Sequence, residues 1–340
     1  MNALRLLPAL LALLLALTGC SRTAPAAVAD SHETTLFAMD TVMTLTVYGD
    51  EALLNEAAER INQLERELSV TDEDSTIYAL NRAGSGTLTG DCAALLSQAL
   101  ELCAQTGGAL DVSIYPVVRA WGFTTGEYAV PEEDVLRELL TNVDYTRIAF
   151  DETTGRVSLD AGMEIDLGSV AKGYTGDLLT ALFRDAGVTS ALLNLGGNVQ
   201  ALGSKPDGSP WRIAVQDPLG DGYLGTLEVE DQAVITSGGY ERFFEQNGQT
   251  YWHILDPATG APARSGLISV TVVGESGLLC DGLSTALFVM GYEDAVEFWR
   301  KTGGFELVLV SEDGQIFLTE GLENKFSAAG AGEVTVIRHG

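Results

Sequence analysis

An α+β fold, with mixed, largely antiparallel sheets and packed helices in a single compact unit, follows from three features of the chain. Period-two alternation and 3.6-residue periodicity are interspersed, without the regular βα order of a doubly wound sheet. Strand-like segments dominate from residue 210 onward. After residue 33 no Gly/Pro-rich linker divides the chain, and no repeat of roughly 20–50 residues is present. The 340 residues, 46% of them hydrophobic, suffice for a sizeable core.

The N-terminus reads as a targeting segment. Arg5 and the free amine precede an apolar stretch from Leu6 to Leu17. It contains Pro8 and is shorter than the ~20 residues that a spanning helix needs. It ends in Leu17-Thr18-Gly19-Cys20, which resembles a bacterial lipobox. The expectation is a signal peptide over 1–19 and a lipidated, palmitate-bearing Cys20. A flexible tether would run over 20–33, and one catalytic unit would fill 34–340. More than one acyl chain would hold the protein at the cell membrane on its extracytoplasmic face. An ordinary secretory signal is the plainer alternative.

Leu36 to Tyr48 carries a strand pattern, clearest over Met43 to Tyr48. Asp50 then caps a helix to about Leu68, with Leu54, Ala57, Ile61 and Leu64 on its apolar stripe. Asp91 caps a second helix, which turns Cys92, Leu95, Leu96, Ala99, Leu100 and Cys103 inward, and Pro131 opens a third. Residues 146–160 predict a hairpin turning at Thr154-Gly155. A helix over 169–186 and a strand over 190–195 follow. Strands are predicted at 211–216, 224–229, 233–236, 250–255 and 267–273. Helices follow from near Asp281 and from Glu293 to Lys301. A hairpin turns at Asp313-Gly314, and 334–338 forms the last strand.

The formal net charge of −29 excludes nucleic acid and anionic headgroups as partners, because like charge repels them. An anionic substrate would need a cation between it and the protein. Cys92 and Cys103 share one helix, about three turns and roughly 16 Å apart, too far to bridge. With Cys280 they read as small buried hydrophobes.

Five polar strings stand out. Asp281, Ser284 and Thr285 fall at i, i+3 and i+4, an oxygen-only set suited to Mg²⁺; taken alone, an Asp281 N-cap with hydroxyls bonding the preceding turn is the favoured reading. Asp166 to Tyr174 forms a loop-to-helix junction with Lys172, where exposed amides and a cation favour an anion, although its spacing is not that of a Walker A loop. Gly196-Gly197 after a strand lets backbone approach a ligand, or is a plain turn. Gly107-Gly108 ends a helix, which leaves Asp111 unexplained. His253, three residues ahead of Asp256-Pro257, is an acid/base candidate or a satisfied core histidine.

These strings, in their order along the chain, resemble the ApbE family of flavin transferases. Also matching are Met39-Asp40-Thr41, Asp74 to Asn81, Gly108 to Asp111, Trp121-Gly122-Phe123, Asn194 to Asn198, Thr236 to Arg242, and His253 to Gly260. The resemblance covers about residues 36–330. It implies FAD as substrate, Mg²⁺ as cofactor, and transfer of FMN to a threonine or serine of a flavin-accepting membrane or extracytoplasmic redox protein, with AMP released. It implies FAD contacts from Met39, Ala109, Leu110, Asp111, Asp166, Lys172 and Leu255. Metal ligands would be Ser169, Asp281, Ser284 and Thr285, and His253 would assist the transfer. The chain departs from the family's pattern at Asp40, where glycine is usual, at Thr71, near which an aromatic is usual, at Ser284, where some members carry aspartate, and at Cys280, where alanine is common. A pyrophosphatase giving free FMN and AMP, and a non-catalytic flavin-binding lipoprotein, are the rival readings.

Overall fold

A computed structural model describes residues 30–330 and 333–340. The strands are β1 (Ser31–Ala38), β2 (Thr41–Tyr48), β3 (Ser85–Thr87), β4 (Ala149–Asp151), β5 (Arg156–Ser158), β6 (Ser190–Leu195), β7 (Asn198–Gly203), β8 (Trp211–Gln216), β9 (Tyr223–Val229), β10 (Ala233–Gly238), β11 (Phe243–Gln246), β12 (Gln249–Trp252), β13 (Leu267–Gly274), β14 (Phe305–Ser311), β15 (Ile316–Thr319), β16 (Phe326–Ala328) and β17 (Val334–Ile337). The helices are α1 (Ala52–Leu68), α2 (Thr76–Ala83), α3 (Gly90–Gln105), α4 (Tyr115–Ala120), α5 (Glu133–Leu140), α6 (Gly168–Asp185), α7 (Gly277–Met290) and α8 (Tyr292–Thr302).

A nine-stranded sheet in the order β1-β2-β6-β7-β10-β13-β14-β15-β17 organises the molecule. Every neighbour is antiparallel except β15 and β17, which run parallel. The fold is therefore α+β, as expected. On one face Met43, Leu45, Val47 and Leu193 pack against Leu54, Ile61, Leu179 and Phe183 of α1 and α6. Further along that face, α3 and α7 pack into the largest core. The other face carries a three-stranded sheet, β16-β9-β8. Strict alternation in Trp211–Gln216 turns Trp211, Ile213 and Val215 inward, onto Val234, Val273 and Val308. Two sheets and one helical layer thus enclose the core.

Several boundaries differ from the sequence expectation. Ser31, His32 and Glu33, assigned to the tether, pair with Tyr48, Val47 and Thr46. Leu36 to Tyr48 comprises the end of β1, the Met39-Asp40 turn and all of β2, rather than one strand. The signal segment and Cys20 lie outside the described residues. Asp91 is not a cap: it sits inside the first turn of α3, where it pairs with Arg60 and accepts from Tyr174 Oη at 2.9 Å. The helix expected from near Asp281 begins one turn earlier, at Gly277, with Ser276 Oγ accepting from Leu279 N at 3.2 Å. Asp281 is therefore an interior residue of α7. Cys92, Cys103 and Cys280 are buried free thiols.

Candidate active site

The site forms where α6 and α7 cross the end of the large sheet. Gly173 of α6 lies so close to α7 that an added Cβ would stand 2.1 Å from Gly277 O and 2.7 Å from Asp281 Cβ. At Gly277 it would stand 2.5 Å from Gly173 O. Glycine at both positions lets the two backbones touch. Asp177 of α6 holds the same contact from its side. It accepts from Gly277 N at 2.6 Å, Leu278 N at 3.0 Å, Ser276 Oγ at 3.1 Å and Gln200 Nε2 at 2.8 Å. The amides that open α7 are satisfied from a neighbouring helix.

This contact seats Asp281. Its side chain is buried, and Oδ2 accepts from Gly173 N at 2.8 Å. Burial raises its carboxyl pKa, while the Lys172 charge and the Gly173 amide draw it back. Thr285, one turn on, faces the same cavity. Ser284 does not. It is fully buried and donates to Asp281 O at 2.8 Å, with Ser237 Oγ also at 2.8 Å. The hydroxyl that reaches the cavity in its stead is Ser237 of β10, 3.3 Å from Thr285 Oγ1. The i, i+3, i+4 spacing could not show this, because the face of α7 that Ser284 occupies is sealed by β10.

Asp166 precedes α6 and accepts from Gly168 N at 2.8 Å. It is positioned by its neighbours: its own N donates to Val112 O at 2.8 Å, and Asn81 of α2 binds both the N and the O of Ile165 at 2.8 Å. The Asp74 to Asn81 string thus acts at a distance, holding the entry to α6. Burial raises the Asp166 pKa, opposed by the Gly168 amide and Arg242. Ser169 and Lys172 follow on α6 and line the cavity.

Ala109, Leu110 and Asp111 line the opposite wall. Asp111 is buried and heavily committed: Oδ1 accepts from Ser113 N at 2.8 Å and Ser113 Oγ at 2.6 Å, and Oδ2 from Tyr145 N at 3.0 Å. Its carboxylate shapes the loop that forms the wall. Met39 and Asp40 form the tip of the β1–β2 hairpin with φ of 49° and 59°, so two non-glycine residues adopt the left-handed conformation. Glu65 of α1 secures the tip by accepting from Met39 N at 2.7 Å. Behind it, a Cβ on Gly196 would stand 2.2 Å from Thr41 Oγ1, so this turn needs its glycine for close approach as well as for its φ of 66°.

His253 follows β12. Its Nδ1 lies 3.2 Å from Arg242 O, a group that can only accept, so Nδ1 carries the proton and Nε2 keeps a lone pair. Burial, then the charges of Arg242 and Lys172, hold the imidazole pKa down to about 3, so the ring is a neutral base at physiological pH. Phe123 stands edge-on to the ring at 6.3 Å. Leu255 is buried in the same wall. Asp256 closes its own turn, accepting from Ala258 N at 2.9 Å and Thr259 Oγ1 at 3.0 Å.

One cavity of about 670 Å³ gathers Met39, Ala109, Leu110, Asp111, Asp166, Ser169, Lys172, His253, Leu255, Asp281 and Thr285. Its size is that of a site for a cofactor-sized ligand. It also includes Asn198, Ser237, Glu241 and Arg242, which the sequence reading did not single out as site residues. Asn198 is buried and lines the cavity, and its side-chain amide stands near enough to Asp281 to help draw that carboxyl's pKa back down. The Glu241 pKa is raised to about 7 by the surrounding protein, with Lys172 opposing and Asp281 reinforcing the shift. The signals for these residues were the Asn194 to Asn198 and Thr236 to Arg242 strings. What they lacked was any cue to which side chains turn inward.

Among the described residues no group of three His, Cys, Asp or Glu could hold a metal alone. The donors near Asp281 are one carboxylate and hydroxyls, all hard oxygens. Such a set fits an ion that completes its shell with phosphate oxygens and water, as Mg²⁺ does.

The ApbE family model matches residues 39–309. The FAD:protein FMN transferase of Treponema pallidum is 35% identical over 81% of this chain and 81% of its own length. That of Klebsiella pneumoniae is 33% identical over 86% of this chain and 93% of its own. The ApbE protein of Thermotoga maritima superposes with a TM-score of 0.82 at 31% identity, covering 87% of this chain and 99% of that one. The flavinyl transferase ApbE of Pseudomonas stutzeri gives 0.79 at 28% identity over 90% and 100%. The chain belongs to the ApbE family.

Proposed function

We propose that this enzyme transfers FMN from FAD to a serine or threonine hydroxyl of a protein acceptor and releases AMP, with Mg²⁺ as cofactor. The observation that carries this reading is the seat of Asp281, a buried carboxylate that opens onto the cavity beside Lys172. The acceptor oxygen forms a bond to the phosphorus on the riboflavin side, and the bridging P–O bond to AMP breaks. The hydroxyl proton passes to Nε2 of neutral His253. Lys172 and Arg242 bring positive charge to a substrate that the acidic surface repels, and Asn198 Nδ2 supplies a neutral donor. Asp281, Thr285, Ser169 and Ser237 offer the oxygen ligands for Mg²⁺, and a bound ion supplies charge neutralisation on the two phosphates. Positioning carries most of the remaining barrier reduction.

The same reading places the enzyme outside the cytoplasm, anchored through Cys20. The support for this anchor is the apolar stretch from Leu6 to Leu17, which ends in Leu17-Thr18-Gly19-Cys20. Metabolic labelling with a radioactive fatty acid should mark the wild type and not the Cys20→Ser variant; label retained in the variant counts against the anchor.

The test of the reaction incubates protein, FAD, Mg²⁺ and acceptor polypeptide, and measures AMP and protein-bound flavin together. Equal amounts of both are expected. Asp281→Ala should abolish both while the fold persists. Free FMN with no bound flavin identifies a pyrophosphatase, and intact FAD identifies a binding protein.

A further inference from the structure

Trp121-Gly122-Phe123 supplies no group to the reaction, yet it packs on the segment that carries the base. Arg242 precedes β11 and His253 follows β12, so both sit at the open end of one hairpin, where His253 N donates to Arg242 O at 3.0 Å. The hairpin turns at Asn247-Gly248, both in the left-handed region, and among the described residues it shares no ladder with the nine-stranded sheet. Two strands alone are marginally stable in water, so the place of this hairpin is set by what packs on it. On one face Trp252 donates from Nε1 to Ala263 O at 3.1 Å and stands edge-on to Phe288 of α7. On the other, the cross-strand pair Phe244 and Tyr251 meets the loop after α4. Trp121 lies 5.3 Å from Tyr251 and 6.3 Å from Phe244, and its Nε1 donates at 2.7 Å to Gly260 O, in the turn that follows His253. Gly122 lets the loop fold back on itself: its φ is 81°, and a Cβ there would stand 2.1 Å from Glu127 O.

Phe123 reaches the base itself. Its carbonyl accepts from Arg242 Nη2 at 3.2 Å. Its ring is buried, 5.8 Å from Phe244, and stands edge-on to the His253 imidazole with centroids 6.3 Å apart and planes at 68°. Both separations are those of favourable aromatic pairs. The imidazole is therefore held at two points, at Nδ1 by Arg242 O at 3.2 Å and along the ring by Phe123. A single hydrogen bond leaves an imidazole free to tilt about it; a second, aromatic contact removes that freedom. Resting on the FMN-transfer reading, we propose that Phe123 is a positioning residue: its ring orients His253 for proton transfer, and its loop, supported by Trp121, keeps His253 and Arg242 together at the cavity. A general base acts only when its lone pair is within hydrogen-bond reach of the proton it takes, so the ring's effect is on turnover and passes entirely through His253. Phe123→Leu isolates this effect, because it keeps the carbonyl that binds Arg242 and an apolar side chain in the core and removes only the ring.

The test is a double-mutant cycle on the full chain with FAD, Mg²⁺ and acceptor polypeptide, scored by protein-bound flavin. Phe123→Leu should lower kcat by about tenfold to 10²-fold and change the KM for FAD by less than about threefold. Introduced into His253→Asn, the same substitution should change kcat by less than about twofold, because the group it acts through is already gone. Trp121→Phe removes the bond to Gly260 O from outside the cavity and should show the same dependence on His253; it carries the test if Phe123→Leu does not fold. Leu139→Ala loosens the same small core away from the cavity, and should lower the melting temperature while leaving kcat unchanged. Equal losses of kcat with and without His253 make the effect a general structural one and overturn the positioning role. An unchanged kcat does so too, as does a raised KM for FAD at unchanged kcat, which would make Phe123 a binding contact; all three leave FMN transfer standing. Intact FAD in the wild-type reaction overturns the transfer reading, and the positioning role with it.

Discussion

Replacing Gly173 with alanine adds one methyl group at the point where the site is assembled. That methyl would stand 2.1 Å from Gly277 O, 2.5 Å from Gly277 C and 2.7 Å from Asp281 Cβ. Two of these are backbone atoms, which no rotamer change can move. α7 must therefore back away from α6 by about 1 Å to restore ordinary contact, against the three bonds through which Asp177 holds the start of α7. Overpacking of this kind costs about 1–3 kcal/mol or more, and alanine's better helix propensity returns about 0.8–1 kcal/mol. At about 1–2 kcal/mol net, against an unfolding entropy of about 2.1 cal/mol/K per residue, the melting temperature should fall by roughly 2–3 °C. The functional loss should be larger. Asp281 moves with α7 and loses its 2.8 Å bond from Gly173 N, and a shift of about 1 Å in a positioning group costs on the order of 10²-fold in rate. Gly176→Ala is the internal control on the same helix. There the obstacle at 2.3 Å is Gln200 Oε1, a side-chain end rather than backbone, so the Gln200–Asp177 bond is what is at stake and the net loss should stay near about 1 kcal/mol. Calorimetry with FMN-transfer rates decides the matter. A Gly173→Ala protein with wild-type melting and transfer would refute the claim that helix contact sets the site.

Asp177→Ala should destabilise by about 2–4 kcal/mol in urea titrations and weaken FAD binding, because the opening amides of α7 lose their acceptor without any lining residue being changed. One of the three imidazole signals in NMR, absent in His253→Asn, should not shift between pH 5 and 8; titration near 6.5 would contradict the depressed pKa of about 3. By linkage the unfolded chain takes up a proton below pH 6.5 that the folded His253 refuses, so this group's contribution to stability is lost as pH falls from about 6.5 toward 3. Cys92 and Cys103, both buried with thiol pKa values pushed up to about 12 chiefly by burial, should resist iodoacetamide at pH 8 until the protein is denatured; rapid labelling of native protein would contradict their burial.

Local periodicity was readable wherever one face of an element is buried. Alternation in Trp211–Gln216 and the stripe of Leu54, Ala57, Ile61 and Leu64 each point one way, because a single face meets the core. The ends of elements were less legible. Ser276, not Asp281, opens α7, and the bonds that hold its start come largely from Asp177, about a hundred residues upstream. No local rule contains a cap supplied by another helix. Asp91 looked like a cap by residue type and position, yet its partners are Arg60 and Tyr174, on α1 and α6. β7 went unpredicted because Asn198 and Gln200, polar and buried, interrupt its alternation: Asn198 lines the cavity and Gln200 bonds Asp177.

Residue types, spacing and family resemblance by themselves determined the mixed fold, the absence of disulfides among the described cysteines, and most of the residues that share the cavity. These are properties of short stretches of chain. The tertiary structure alone decided which polar groups reach that cavity and which are spent inside the protein. Ser284 is sealed against β10 while Ser237 faces in, Asp111 and Asp256 hold their own loops, and Asn198, Glu241 and Arg242 join the wall. The physical reason is that a side chain's chemistry depends on its hydrogen-bond partners and its access to solvent, and both are set by elements that meet only when distant parts of the chain pack together.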